Sequence, residues 1–184
     1  MTPSPMRSDE ALLEALLDGD VRGFDLLHAR YARSLFGFIR RHHPQQQEAE
    51  DLLHETFLAL LRDREGARTA TNLKAWLFQV ARHLCLNRHR AQRRAAGALA
   101  DPAAKRTPAS ESHPEKILLG SERQRALGTA LARLPLELAE LWHLRSSGLS
   151  YEEMASVLAV PVGTVKSRMH GMVHRLREEL RDDL

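Results

Sequence analysis

Apolar residues recur at spacings of three and four along most of the chain, and no useful length alternates with the period of two that a strand requires. The pattern predicts helices over Asp9 to His43, Gln47 to Asp63, Thr71 to Arg94, Glu115 to Arg133 and Leu136 to Arg145. Two more follow within GLSYEEMASVLAVPVGTVKSRMHG, residues 148 to 171. There Ser150 and Glu153 form a capping box, the hydroxyl accepting from the third helical residue while the glutamate reaches back. Such a cap stabilises a helix start by on the order of 1 kcal/mol. Met154, Ala155 and Leu158 make the apolar stripe of this helix, and Pro161 marks the corner and the opening of the next. Val165, Met169, Met172 or Val173, Leu176 and Leu180 carry the helical period onward. The expected fold class is all-α.

Residues 95 to 116, AAGALADPAAKRTPASESHPEK, interrupt the periodicity with small residues, three prolines and nearly balanced charge. That is the composition of a flexible linker, which specifies no relative arrangement of what it joins. The chain of 184 residues therefore divides into two small helical domains, 8–95 and 116–184, around a linker at 96–115. Each is small enough to bury only a modest core.

The final pair of helices, a short one, a tight corner and a longer one, reads as a helix-turn-helix, whose second helix enters the major groove N-terminus first. With its apolar stripe turned inward, Gly163, Ser167, His170, Gly171 and His174 point away from the core, with Thr164 and Lys166 at the flank. No acid occurs from residue 154 to residue 177, which favours DNA over a plain solvated hairpin.

Charge sharpens the picture in the N-terminal half. The formal net charge of +3 is mild, but its distribution is not. Residues 44 to 61 carry Glu48, Glu50, Asp51 and Glu55 and no lysine or arginine. From Gly66 to Ala100 there is no acid, while Arg68, Lys74, Arg82, Arg88, Arg90, Arg93 and Arg94 appear. An acidic helix followed by a basic one points to two different partners, a basic protein surface and a phosphate backbone. In the basic helix Leu73, Trp76, Leu77, Val80, Ala81 and Leu84 form the expected buried stripe. Asn72, Gln79, Arg82, His83, Leu86 and Arg90 lie more to the other side, where, near Trp76 and Phe78, they are expected to hold a nucleic-acid strand.

Other chemistries find little footing. Cys85 is the only cysteine, which excludes an intramolecular disulfide and a cysteine-rich zinc module. Cys85 and His89, four apart, supply at most two ligands, so no metal and no cofactor is expected. No catalytic motif of the hydrolase, phosphate-loop or zincin type occurs, so no enzymatic activity is expected. No apolar run approaches the length of a membrane span, and MTPSPMRSDE lacks the apolar core of a signal peptide; a cytoplasmic protein without membrane insertion is the expectation.

Four segments together resemble one family, the extracytoplasmic-function (ECF) sigma factors of bacterial RNA polymerase. GDVRGFDLLHARYARSLFGFIRR resembles its opening helix pair, AEDLLHETFLALL its polymerase-binding helix and LKAWLFQVARHLCLNRHR its promoter-melting helix. LPLELAELWHLRSSGLSYEEMASVLAVPVGTVKSR is similar to its C-terminal domain. The resemblance implies sigma region 2 in the first domain and region 4 in the second, with core polymerase, promoter DNA and an anti-sigma factor as partners. It implies that Asp51, His54 and Glu55 face core polymerase. It also implies that the loop from Arg62 to Thr71 helps capture an unstacked base of the −10 element. Asn72, Lys74, Arg82, His83, Asn87 and Arg90 would hold the opened strand and adjoining duplex. Thr164, Lys166, Ser167, Arg168, His170 and Arg175 would dock on the −35 element, each lost base contact costing about 1–3 kcal/mol. The chain departs from the family pattern at His54, usually glutamine, and at His83 and Asn87, usually asparagine and aspartate. Gly171 and Val173 stand where arginines are common, Ala159 stands at the usual turn glycine, and the linker is not clearly acidic.

Two other readings remain at this level: an autonomous helix-turn-helix regulator, which leaves the charge partition unexplained, and a purely structural helical adaptor. Polymerase-dependent transcription from a promoter library separates the three. Glu55→Lys is expected to abolish core binding with the fold intact.

Overall fold

The computed structural model describes residues 8–70, 72–97 and 122–182, and among them every regular element is a helix. The helices are α1 (Asp9–Leu17), α2 (Val21–His42), α3 (Gln46–Arg62), α4 (Arg64–Thr69), α5 (Leu73–Gly97), α6 (Glu122–Ala132), α7 (Leu136–Ser146), α8 (Tyr151–Leu158) and α9 (Val162–Asp182). The segment expected as a linker lies outside the described residues apart from Ala96 and Gly97, which extend α5. The helix expected over Glu115 to Arg133 is described from Glu122 onward.

Two expectations need correction. The single helical run from Asp9 to His43 is broken after Leu17, where Gly19 takes a left-handed φ of +89° and Asp20 caps the next helix through Arg22 N–H. Periodicity alone does not register this break, because the apolar face resumes almost in phase on the far side. The loop expected from Arg62 to Thr71 contains the one-and-a-half-turn helix α4, capped by Asp63 accepting from Gly66 N–H at 3.0 Å. Aspartate is a preferred cap, and the following six residues hold neither proline nor a β-branched run. Thr71 itself is outside the described residues.

The first five helices pack around Leu12, Leu27, Leu35, Phe38, Ile39, Leu60, Leu77 and Phe78, all fully buried. Phe38 and Phe78 meet edge to face, 5.4 Å between ring centroids. In the second domain Leu141, Leu144, Leu149, Met154 and Val165 are fully buried. The two cores join into one apolar cluster, because α7 packs on α2 and α8 packs on α5. The arrangement that the linker composition leaves open is thus fixed by docking of one domain on the other.

Candidate nucleic-acid interface

The helix-turn-helix is built as its sequence prescribes. Ser150 Oγ accepts from Glu153 N–H at 3.1 Å, and Glu153 Oε2 accepts from Ser150 N–H at 2.7 Å. The capping box is complete. Tyr151, the first helical residue, has the Arg145 guanidinium over its ring. Ala159 ends α8 with φ +55° and ψ +47°, so the corner does require the left-handed conformation, and an alanine adopts it. Pro161 opens α9, its carbonyl accepting from Thr164 and Val165 N–H.

On α9, Val165, Met172 and Leu176 are buried, which turns Gly163, Lys166, Ser167, His170, Gly171 and His174 into solvent. Val173 is outward, so Met172 is the residue that carries the apolar stripe. Lys166 and His170 have no side-chain partner among the described residues, and the Ser167 hydroxyl donates to Thr164 C=O. Arg168 lies 3.6 Å from Glu137 of α7, and Arg175 pairs with Glu179 one turn on. Both pairs are solvent-exposed, hence weak and readily exchanged for phosphate.

The acidic helix α3 exposes Glu50, Asp51 and His54. Two of its acids turn partly toward α5: Glu55 accepts from Arg88 at 3.1 Å, and Glu48 accepts from Gln92 at 2.6 Å. Glu55 and Arg88 therefore neutralise each other locally, while Asp51 and His54 remain outward.

Helix α5 splits the six residues expected to hold the melted promoter. His83, Asn87 and Arg90 are exposed on one face, with Arg90 3.5 Å from Asn87 Oδ1. Asn72 caps the helix, its Oδ1 accepting from Ala75 N–H at 3.1 Å. Lys74 lines a cleft of about 510 Å³ between the domains, beside Ser34 of α2 and Ser147 after α7. Arg82 donates from Nε to Glu140 of α7 at 3.0 Å. Phe78 is fully buried, so it is core and offers no surface to a base. Trp76, Val80 and Leu84 are only partly covered, whereas Phe78 and Cys85 are closed off completely. The buried arc is displaced from the expected stripe because α5 is packed by α2 and α3 and also by α8 of the other domain.

A histidine cluster occupies the junction of α2, α3 and α5. His43 is buried, its Nδ1 3.1 Å from Glu48 Oε2 and its Nε2 3.2 Å from Cys85 C=O. His89 stacks on it at 4.2 Å. Burial and the neighbouring His43 and His42 hold the His89 imidazole below its ordinary pKa. Burial, together with the charges of Glu140 and Glu48, pushes the Cys85 thiol up to about 12, which makes it an inert hydrophobe at neutral pH. No group of three or more His, Cys, Asp or Glu among the described residues is arranged to hold a metal ion.

Glu140 and Arg41 are the interface residues that sequence reasoning missed. Arg41 Nη2 donates to Leu131 C=O at 2.8 Å, tying α2 to α6. The signal for Glu140 was available: it sits four residues from both Leu136 and Leu144, an acid on an apolar stripe. A buried carboxylate demands a cationic partner, and Arg82 and His42 supply it from two other helices.

A helical bundle docked on a capped helix-turn-helix defines the class of protein: all-α, with two helical domains joined through packing of α7 on α2 and of α8 on α5. Family models for Sigma-70 region 2 and Sigma-70, region 4 match residues 27–95 and 124–170. The chain is 32% identical over 181 residues to the RNA polymerase sigma-H factor of Pseudomonas aeruginosa, covering 94% of this chain and 91% of that protein. It is 30% identical over 185 residues to the ECF RNA polymerase sigma-E factor of Haemophilus influenzae, covering 96% and 95%. Its fold is similar to that of the sigma factor RpoE crystallised with the anti-sigma factor NepR from Bartonella quintana, at 24% identity and TM-score 0.67 over 92% of this chain and 99% of that one. CnrH in complex with the cytosolic domain of CnrY is similar at 21% identity and TM-score 0.64, over 96% and 99%.

The chain belongs to the sigma-70 family, as an ECF-type sigma factor. It is an alternative sigma factor that directs transcription initiation, and it is not an enzyme. Nothing in these matches supports the autonomous regulator. Among the described residues no helix is long and apolar enough to cross a membrane.

Proposed function

We propose that the chain acts in the cytoplasm as a dissociable factor whose two domains, 8–95 and 116–184, divide three contacts between them. Asp51, His54 and Glu55 grip core polymerase. Asn72, Lys74, Arg82, His83, Asn87 and Arg90 hold the −10 element, with α4 beside the base that leaves the stack. Thr164, Lys166, Ser167, Arg168, His170 and Arg175 read the −35 element. The observation that carries this reading is the outward, acid-free start of α9, presented by a corner that Ser150, Glu153 and Pro161 make rigid. Groove binding needs such a face, with unpartnered donors at the helix N-terminus. Two weakly binding modules on one chain gain by effective concentration, so neither domain needs high affinity alone. An anti-sigma factor that covers these surfaces is the implied inhibitor; the structurally similar RpoE of Bartonella quintana was crystallised with such a partner.

Polymerase-dependent transcription from a promoter-fragment library tests the reading as a whole. The polymerase contact is tested at Asp51, which is exposed and makes no side-chain contact among the described residues. Glu55→Lys is the poorer probe, since it also sets a lysine against Arg88. Asp51→Arg is expected to weaken core binding at least tenfold, read by fluorescence anisotropy, with the thermal midpoint unchanged. Unaltered affinity would refute the assignment.

A further inference from the structure

The docking of the two domains is centred on a charge that neither domain satisfies alone. Glu140, on α7, is buried. Its Oε1 lies 3.0 Å from Arg82 Nε on α5 and 3.0 Å from His42 Nε2 on α2. The Arg82 contact is a directed hydrogen bond, whereas the His42 nitrogens make none, so the imidazole contributes proximity and not alignment. Burial works to raise the Glu140 carboxyl, but His42 and Arg82 outweigh it and hold the group below its ordinary pKa. The carboxylate therefore stays charged at neutral pH and stays committed to Arg82.

We propose that Glu140 is an internal stand-in for a DNA phosphate, closing the C-terminal domain over Arg82 and Lys74, two of the six strand-holding residues, until promoter and polymerase displace it. The proposal rests on the reading that Arg82 contacts promoter DNA. Three observations besides the ion pair support it. Lys74, a second of those six residues, is turned into the inter-domain cleft, close to Gly148. Helix α8 covers part of α5. Arg41 fastens the end of α6 through a backbone carbonyl.

The chemistry suits a contact that must open. A carboxylate oxygen and a phosphate oxygen ask the same of a guanidinium, a charge-assisted hydrogen bond, so Arg82 exchanges one for the other without being left bare, while Glu140 passes to water as the domains part. A buried ion pair adds little net stability over an apolar contact but penalises misalignment, which gives a specific closed state without a deep well. Any ligand that binds only the opened chain has its apparent affinity lowered by the closed fraction. The free factor is thereby kept off DNA, and a polymerase surface that parts the domains would release Arg82.

The test uses the full chain. Glu140→Gln keeps the shape of the side chain and removes its charge. It is expected to enlarge the radius of gyration of the free factor in X-ray scattering. It is also expected to tighten polymerase-independent binding to a −10 single strand by at least fivefold in fluorescence anisotropy. In the holoenzyme, where the proposal requires the domains to be apart, transcription by Glu140→Gln is expected to match wild type, whereas Arg82→Ala is expected to lose promoter melting. The charge exchange Glu140→Arg with Arg82→Glu should restore the compact chain without restoring DNA binding, which guards against a fold defect in either single variant. Unchanged size and affinity in Glu140→Gln, beside an impaired Arg82→Ala holoenzyme, overturn the proposal alone. A fully active Arg82→Ala holoenzyme removes the DNA-binding reading of Arg82, and the proposal falls with it.

Discussion

Ala159 shows what one side chain costs when the backbone is chosen for it. Its φ of +55° lies in the left-handed region, where Cβ crowds the following carbonyl. The penalty for a residue other than glycine is roughly 1–2 kcal/mol. The residue is exposed, so no packing is gained by the methyl group. Ala159→Gly should therefore stabilise the C-terminal domain, the relief of strain exceeding the added freedom of the unfolded chain by about 0.5–1 kcal/mol. A rise in the denaturant midpoint at constant slope would show it. The turn persists with alanine because its neighbours over-determine it: Val160 N–H reaches back to Ala155 C=O, and Pro161 fixes the next φ. The departure from the family pattern was plain in the sequence; only the dihedral angle told that the turn kept its shape and stored the strain.

At the scale of elements, the most demanding contact is the crossing of α1 and α2 at Gly23. A Cβ there would lie 2.5 Å from Leu12 C=O and 3.0 Å from Leu16 N, both backbone atoms that cannot turn aside. Gly23→Ala is expected to force the two helices apart and destabilise the N-terminal domain by about 1–3 kcal/mol, although alanine is the better helix former. Thermal unfolding followed by circular dichroism measures the loss; a variant as stable as wild type would mean that the helices can separate at no cost. Helix propensity read from sequence predicts the opposite sign, because the constraint lies in another helix. The same limit applies to α5. Its period of 3.6 was legible, but the covered arc was set by which helices pack on it: α2, with Phe38 against Phe78, and α3 from its own domain, and α8 from the other. Phe78 thus became core, and Trp76 only partly covered, against the expected stripe. Helix α4 was missed for a different reason: six residues are too few to show a period, and Asp63 as a cap was the one available sign.

Across the whole molecule, closure of the two domains should depend on pH through His143. This α7 imidazole packs near Gly37 and Arg41 of α2. Burial, with the charges of Arg41 and His42, lowers its pKa from the ordinary 6.5 to about 4. A histidine with a depressed value contributes stability that is complete above its ordinary pKa. That contribution is lost as pH falls from 6.5 toward 4, because the opened or unfolded chain binds the proton more readily. At pH 5.5 the closed form should be disfavoured by roughly tenfold from this group alone. His89, shifted in the same direction, adds to the effect, while the Glu140 contribution is lost only at lower pH, below the ordinary carboxylate range. Denaturant midpoints between pH 7.5 and 5 should therefore fall, and His143→Gln should flatten the slope without abolishing it; an unaltered slope would remove His143 as the cause. The sequence by itself determined the helical class, the capped corner before α9, the acid-free face beyond it and the family, because these depend on spacing and side-chain chemistry within short stretches. Tertiary structure alone decided that Arg82 faces a carboxylate 58 residues away, that Glu55 leans on Arg88 and that the two cores become one. Those outcomes follow from which surfaces meet after each helix has formed, and a buried charge discloses its partner only when both are in place.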